Sequence, residues 1–485
     1  MNISMILHMA ASAGDRTVVT ADERSLTAPD LLRLAQAAAR RFRGLPAVLY
    51  LGANHLAYPV ALFGAALAGV PFVPVNYRLG EQQRDALLAR HPGALVLRPE
   101  DLDAVLEPAD TEAEFGEEPA VPEQDAVAVI LYTSGTTAAP KAALLRHRHL
   151  LAYVLNTLEF VSCDEDEAAL VAVPPYHIAG LTNLLSNLYT GRRLVYLAAF
   201  DPHDWIASVR REQVTHALVV PTMLARIVAA VEGDDAATPT LRTLAYGGSR
   251  TPRPVLERAL RMFPKTGFVN AYGLTETASS IAVLGPQDHR DALAASDRAI
   301  HERLGSVGRA LPGVEFAIRA ADGSPASPGE SGLVFVRGEQ ISGEYGGHTT
   351  LDQDGWFATR DRGRLDGDGF LFIEGRADDT IIRGGENIAP AEIEDVLLAH
   401  PGVHEVAVIG VPDPEWGQRL VAVLVGEGDP EEIRGWVRDR LRSSKTPDTV
   451  VFRAELPRTD TGKLLRRTLL AELEDKDTHD THART

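Results

Sequence analysis

The sequence predicts an α/β fold: a large N-terminal domain of α/β subdomains with parallel sheets, a small β-rich subdomain, and a small α+β C-terminal domain. Three observations predict it. At 485 residues the chain is too long for one ordinary hydrophobic core, so at least two domains are expected. Short apolar runs alternate with segments of helical periodicity as far as Tyr246, the pattern of strands buried on both faces. The texture changes twice, after Gly305 to short strands between turn residues and near Arg376 to a mixed pattern.

Taken in order, apolar residues recur at helical spacing from Thr27 to Arg41, and Val48 to Leu51 follows as a buried strand. Further strands are expected at Val70–Val75, Ala94–Leu97, Ala126–Leu131, Ala168–Val173, Arg193–Leu197, His216–Val220 and Thr243–Tyr246. The β-rich part contributes Val314–Ile318, Gly332–Val336 and Phe370–Ile373, with Asp366-Gly367-Asp368-Gly369 as a hairpin turn. The last domain carries a helix at Pro390–His400, strands at Glu405–Gly410 and Leu420–Val425, and a helix at Glu431–Leu441. The polar, repetitive stretch from Glu472 onward reads as disordered, which sets expected divisions at 1–376, 377–472 and a tail at 473–485.

A formal net charge of -19 argues against a broad nucleic-acid surface, because such binding relies on clustered Lys and Arg. Any phosphate needs a local site. The single Cys163 rules out an intrachain disulfide framework and fits a cytoplasmic setting. Its acidic neighbours would raise a thiol pKa, against a nucleophilic role. No basic region precedes the apolar opening residues, so no secretory signal is expected. Two uncharged stretches, Leu56–Val75 and Ala168–Gly191, are long enough to span a bilayer, but their prolines and polar residues mark them as buried core.

The chemistry is written in motifs. Thr133-Ser134-Gly135-Thr136-Thr137 follows an apolar strand and precedes Lys141: hydroxyls and backbone N–H groups able to wrap phosphate oxygens, with a lysine as point charge. No Gly precedes the lysine and no Ser or Thr follows it, so this is not a Walker A loop. The stretch resembles the signature loop of the acyl-adenylate-forming superfamily of acyl-CoA synthetases, peptide-synthetase adenylation domains and luciferases. Further segments resemble that superfamily in the same order: Tyr246-Gly247-Gly248-Ser249, Asn270-Ala271-Tyr272-Gly273-Leu274-Thr275-Glu276, Trp356 to Asp361, Gly375-Arg376-Ala377-Asp378, Gly384-Gly385-Glu386-Asn387, and Pro457 to Lys463. The sequence departs from the pattern at Ala138 and Ala142, where glycines are usual.

The resemblance implies roles. Tyr272 would pack on adenine, with Asn270, Ala271, Gly273, Gly248 and Ser249 around it and Thr275 on phosphate. Glu276 would hold Mg²⁺, Asp361 and Arg376 the ribose side, and Lys463 would act in adenylation with Thr133 and Lys141. Asp378 would be the hinge of a mobile C-terminal domain, and Gly384, Gly385 and Glu386 would line a thiol tunnel. Tyr176, His177, Gly180 and Gly247 would line the acyl pocket. No Asp stands there to pair an ammonium, which disfavours α-amino acids.

The implied activity is ATP-dependent conversion of a carboxylic acid to acyl-AMP with pyrophosphate release, then transfer to a thiol. CoA is the expected acceptor, with Arg442 and Lys445 as candidate contacts to its phosphates. The phosphopantetheine of an acyl carrier protein is the alternative, and a non-catalytic nucleotide-binding relative is a second. Homodimerisation is left open.

Overall fold

A computed structural model describes residues 1–107, 123–133, 140–459 and 462–482. The α/β architecture is as expected: two large mixed sheets, a four-stranded antiparallel sheet, and a C-terminal domain with its own small sheet. The nine-stranded sheet has a parallel centre, Gly267–Leu274, Thr243–Gly247, His216–Val219, Ala168–Val171, Arg193–Tyr196 and Thr17–Ala21. Antiparallel strands at both edges, Ser279–Leu284 with Arg309–Ala310 and Arg24–Thr27, make it mixed rather than wholly parallel.

The seven-stranded sheet repeats the plan. Leu95–Leu97, Val48–Tyr50, Phe72–Pro74 and Val127–Thr133 run parallel, and Lys141–Arg146, Glu344–Tyr345 and His348–Thr349 add antiparallel strands. The helix Ala28–Phe42 shows local and tertiary preferences agreeing. The Thr27 hydroxyl accepts from the Asp30 backbone N–H at its start, Arg40 and Arg41 close it, and Leu31, Leu34, Ala35, Ala38 and Phe42 are buried. It packs on helix Ala57–Ala68 so tightly that a Cβ on Gly64 would meet Ala38 Cβ at 2.8 Å. That second helix is apolar on all sides and buried, which accounts for the uncharged run around it. Among the described residues no helix is long and apolar enough to cross a membrane.

The strand Leu371–Arg376 ends the four-stranded sheet, and a turn at Ala377–Asp379 leads into the C-terminal domain. There the strands Val403–Asp413, Gly417–Gly426 and Thr449–Arg453 form a sheet flanked by helices Pro390–Leu398, Pro430–Arg438 and Arg466–His482. Two apolar clusters made only of residues beyond 380 fill its two faces.

The last helix corrects one expectation. Its backbone runs to His482 through the segment read as a disordered tail, and Leu473, placed in that tail by the division at 472, is buried beside Leu469 against Val421 and Val423. The polar repeat hides this because one side of a terminal helix needs only a few apolar anchors. Cys163 is buried ahead of the strand Ala168–Val171, at the end of the sheet opposite the motif residues.

Candidate active site

The parallel strands of the nine-stranded sheet deliver their C-terminal ends to one place, the end at which open α/β sheets bind ligands. Ala168–Val171 leads to Pro174–Gly180, His216–Val219 to Thr222, Thr243–Gly247 to Gly248 and Ser249, and Gly267–Leu274 to Thr275 and Glu276.

Glycine is sterically required at two points. Gly247 pairs with Ala271 across the ladder, and a Cβ on it would meet the Ala271 carbonyl oxygen at 2.1 Å. A Cβ on Gly273 would meet the Ser279 carbonyl oxygen at 1.9 Å. The chain then reverses through Ala278 and Ser279 at φ 51° and 121°, leaving Glu276 buried in the turn. The Asn270 side-chain amide donates to the Ser306 carbonyl at 3.0 Å, tying this strand to the next segment.

A second corner gathers Tyr272, Asp361 and Arg376. Asp361 and Arg376 are cross-strand partners, with Arg376 Nη1 donating to Asp361 Oδ1 at 3.1 Å, and the Tyr272 hydroxyl donates to Oδ2 at 2.5 Å. Arg360 stands at φ 64°, a left-handed conformation immediately before the carboxylate. Burial raises the Asp361 pKa, against which Arg376, Tyr272 and Lys463 act. Burial also pushes the Tyr272 hydroxyl well up, with the Asp361 charge adding to it, so Tyr272 remains a donor.

Gly462, next to Lys463 in the C-terminal domain, lies against Thr222 of the N-terminal domain, and the Lys463 charge favours the ionised form of Asp361. Lys463 sits on a hairpin closed by Thr459 N–H to the Lys463 carbonyl at 2.7 Å and Lys463 N–H to Thr459 Oγ1 at 3.0 Å. The structure thus brings together Tyr272, Asp361, Arg376 and Lys463, residues separated by up to 191 positions.

The phosphate side is partly described. Thr133 and Lys141 are paired at the end of the hairpin formed by Val127–Thr133 and Lys141–Arg146. Ser134, Gly135, Thr136, Thr137 and Ala138 lie outside the described residues. Ala142 occupies a regular strand position opposite Tyr132, where its methyl group needs no unusual backbone. Tyr345, which the sequence reading did not single out, donates its hydroxyl to Glu276 Oε1, and Lys141 Nζ lies 5.7 Å from the centre of its ring. Beside it Glu344 receives two hydrogen bonds from Arg146, at 2.9 and 2.8 Å. A strand of two residues has no periodicity to reveal it, and the only clue was a tyrosine among the glycines of Gly343 to Gly347.

On the acyl side, His177 precedes helix Ile178–Thr190, with its ring 4.5 Å from that of Tyr176, which in turn meets Tyr77 edge-on at 5.6 Å. A Cβ on Gly180 would meet the Pro174 carbonyl oxygen at 2.8 Å, so glycine lets the helix close on the preceding turn. Thr182 of this helix donates to Ser279 Oγ at 2.9 Å, joining the acyl side to the turn that holds Glu276.

Asp378 is exposed in the interdomain turn. Gly384 and Gly385, at φ 56° and 81°, form the turn of a hairpin whose contacts are within the C-terminal domain: Gly384 N–H donates to the Trp416 carbonyl, and Glu386 accepts from Arg442 at 2.6 Å. Lys445 pairs with Glu392. The two candidate cations for the acceptor are therefore already engaged with carboxylates.

A magnesium ion fits this donor set. Glu276 is a buried carboxylate that, among the described residues, has no Lys or Arg paired with it, and burying a charge without a counter-charge is costly. One carboxylate suffices when substrate phosphates and water supply the other ligands.

Residues 7–345 match the AMP-binding enzyme family and residues 392–463 match the AMP-binding enzyme C-terminal domain. The chain belongs to the AMP-binding enzyme family, as an AMP-forming acid–thiol ligase. A feruloyl-CoA synthase from an Amycolatopsis species is 36% identical over 477 residues, 92% of this chain and 94% of that protein. A 2-succinylbenzoate–CoA ligase from Bacillus licheniformis is 34% identical over 486 residues, 94% of this chain and 96% of that one. The structure of o-succinylbenzoate coenzyme A synthetase from Bacillus subtilis, in complex with ATP and magnesium ion, superimposes with a TM-score of 0.80 at 28% identity, covering 96% of this chain and 98% of that one.

Proposed function

We propose that this site joins a small carboxylic acid to AMP, releasing pyrophosphate, and then passes the acyl group to the thiol of CoA. The observation that carries the reading is the docking of the Lys463 hairpin of the C-terminal domain, Gly462 against Thr222, on the N-terminal domain that holds the Asp361–Tyr272–Arg376 corner.

The difficulty of the first step is charge, since a carboxylate must approach an anionic α-phosphate. Asp361 accepts hydrogen bonds from the ribose hydroxyls, with Arg376 and Tyr272 holding the carboxylate in place. Lys463 donates to the oxygens that crowd together as the acyl–phosphate bond forms. Thr133 and Lys141 take the β- and γ-phosphates with Ser134, Gly135, Thr136 and Thr137, and Gly247 and Gly248 let backbone approach the base. Glu276 would hold magnesium, whose charge would screen that of the triphosphate. His177, Tyr176 and Gly180 face the acid.

For the second step, the C-terminal domain turns about Asp378, which withdraws Lys463 and brings Gly384–Glu386 toward the adenylate. A hinge at the short Ala377–Asp379 turn absorbs the backbone change. The single cysteine fits a cytoplasmic enzyme.

Pyrophosphate release with ATP, Mg²⁺ and a panel of acids, with and without CoA, tests the reading. Aryl acids stand first in the panel because of the feruloyl and succinylbenzoate relatives. Turnover that needs one acid and rises with CoA supports the proposal. One equivalent of pyrophosphate, unaffected by CoA, points to a carrier protein as acceptor, and silence across the panel, or full activity in Lys463→Ala, sinks it.

A further inference from the structure

Tyr345 stands between two groups that the proposed reaction needs apart. Its hydroxyl donates to the buried carboxylate of Glu276, and its ring face lies 5.7 Å from the Lys141 ammonium. Its strand pairs with the strand that begins at Lys141, Tyr345 lying opposite Ala143. The segment before it grips the Glu276 turn: Ser342 and Gly343 donate backbone N–H groups to the Glu276 carbonyl at 2.8 and 3.2 Å. Gln340 donates to the carbonyls of Thr277 and Ser280 at 2.9 and 2.8 Å. At Glu344, the residue before Tyr345, paired hydrogen bonds from Arg146 fasten the strand.

A lysine and a buried glutamate in one pocket attract each other strongly where water is scarce. Among the described residues, however, Lys141 and Glu276 form no ion pair. One tyrosine satisfies both, the carboxylate through its O–H and the ammonium through its π face.

We propose that Tyr345 is a positioning residue that holds Glu276 and Lys141 apart, so that the ATP-free site stays open for magnesium and the triphosphate. The inference rests on the functional reading above. Removing the hydroxyl frees the carboxylate to swing to Lys141, and magnesium with its nucleotide must then break that pair before binding.

Calorimetric titration of wild type, Tyr345→Phe and Tyr345→Ala with ATP in excess Mg²⁺, and separately with AMP, tests it. Tyr345→Phe is expected to weaken ATP·Mg²⁺ about ten-fold, as loss of a partner behind a metal ligand does, while AMP binding changes less than about two-fold. Tyr345→Ala, which also removes the ring from Lys141, is expected to weaken ATP·Mg²⁺ further. Equal affinity for ATP·Mg²⁺ in Tyr345→Phe and wild type overturns the inference. So does a parallel loss for AMP, which would make Tyr345 a structural support only. Wild type that binds neither nucleotide overturns the functional reading itself, and this inference with it.

Discussion

Gly462 of the C-terminal domain lies directly against Thr222 of the N-terminal domain, so that a Cβ on Gly462 would meet Thr222 Cγ2 at 2.2 Å and Oγ1 at 2.3 Å. Gly462 also holds φ 78°, which a side chain resists. Gly462→Ala is therefore expected to keep the Lys463 hairpin from seating. Pyrophosphate exchange should fall about a hundred-fold, on the scale of an ångström's misplacement of a reacting group. Acyl transfer to CoA from supplied acyl adenylate should change only a few-fold. Equal losses in both half-reactions would refute this account.

We expect a second interdomain contact to act as a latch. Arg250, just after Gly247-Gly248-Ser249, pairs with Asp395 of helix Pro390–Leu398 and donates to the Ala391 carbonyl at 3.3 Å. Both side chains are about half exposed, so the pair contributes at most about 1 kcal/mol. Arg250→Ala should slow adenylation about three-fold and leave acyl transfer from the adenylate unchanged or faster, since the domain leaves its first position more readily. A slower transfer step would argue against a latch.

These contacts show which parts of the site were legible. Motif residues such as Tyr272 and Asp361 were singled out by their resemblance to the superfamily's segments, while the strands that carry them, Gly267–Leu274 and Phe357–Leu365, were not among the expected strands because polar and glycine residues interrupt their apolar pattern. That Arg376 is the cross-strand partner of Asp361 was not legible, because pairing register depends on the loop between two strands. Tyr345 escaped for a related reason: its strand has two residues and gains its place from the neighbouring strand Lys141–Arg146. The final helix escaped because Leu469 and Leu473 are few among charged residues, yet each is buried.

Asp361 couples function to stability with opposite signs. Burial raises its pKa above the ordinary 3.8, so the folded protein holds that proton more tightly than the unfolded chain does. Its contribution to stability accordingly falls as pH rises from 3.8 through the raised value, and the ionised group is a cost above it. Asp361→Asn removes this cost and, on the proposed reading, impairs the acceptor for the ribose hydroxyls. The expected outcome is a melting temperature no lower than wild type together with at least a ten-fold rise in KM for ATP. A marked drop in melting temperature would show that the pairing with Arg376 outweighs the burial penalty.

His147 and His149 make stability sensitive to mild acid. Burial lowers both from 6.5 to about 4, the chain N-terminus acting in the same direction on His147 and Arg148 and Arg146 on His149. Between those values the unfolded chain binds protons that the folded protein does not, so stability is lost as pH falls from 6.5 toward 4. Each histidine contributes up to about 1.4 kcal/mol per pH unit in that window. His147→Asn keeps an acceptor for the Ile3 N–H, which His147 Nδ1 now receives at 3.3 Å, and removes the titration. Urea unfolding at pH 5 and pH 7 should show a smaller difference in stability for this variant than for wild type. An unchanged difference would assign the acid sensitivity to other groups.

Leu473 decides whether the last helix is part of the C-terminal domain's core. It is buried with Leu469, Leu456 and Val423 on the face of the sheet opposite helices Pro390–Leu398 and Pro430–Arg438. Leu473→Ala removes buried methyl groups and leaves a void, a change that costs about 2–5 kcal/mol in a well-packed core. Because the helix closes a domain with its own apolar clusters, the damage should stay local: the C-terminal domain melts earlier while the N-terminal domain keeps its transition. Lys463 rides on the hairpin immediately before this helix, so adenylation should fall at temperatures where the small domain has melted, even though AMP still binds the Asp361 corner. Calorimetry with and without AMP separates the two transitions, and a variant as stable as wild type in both would place Leu473 outside the core.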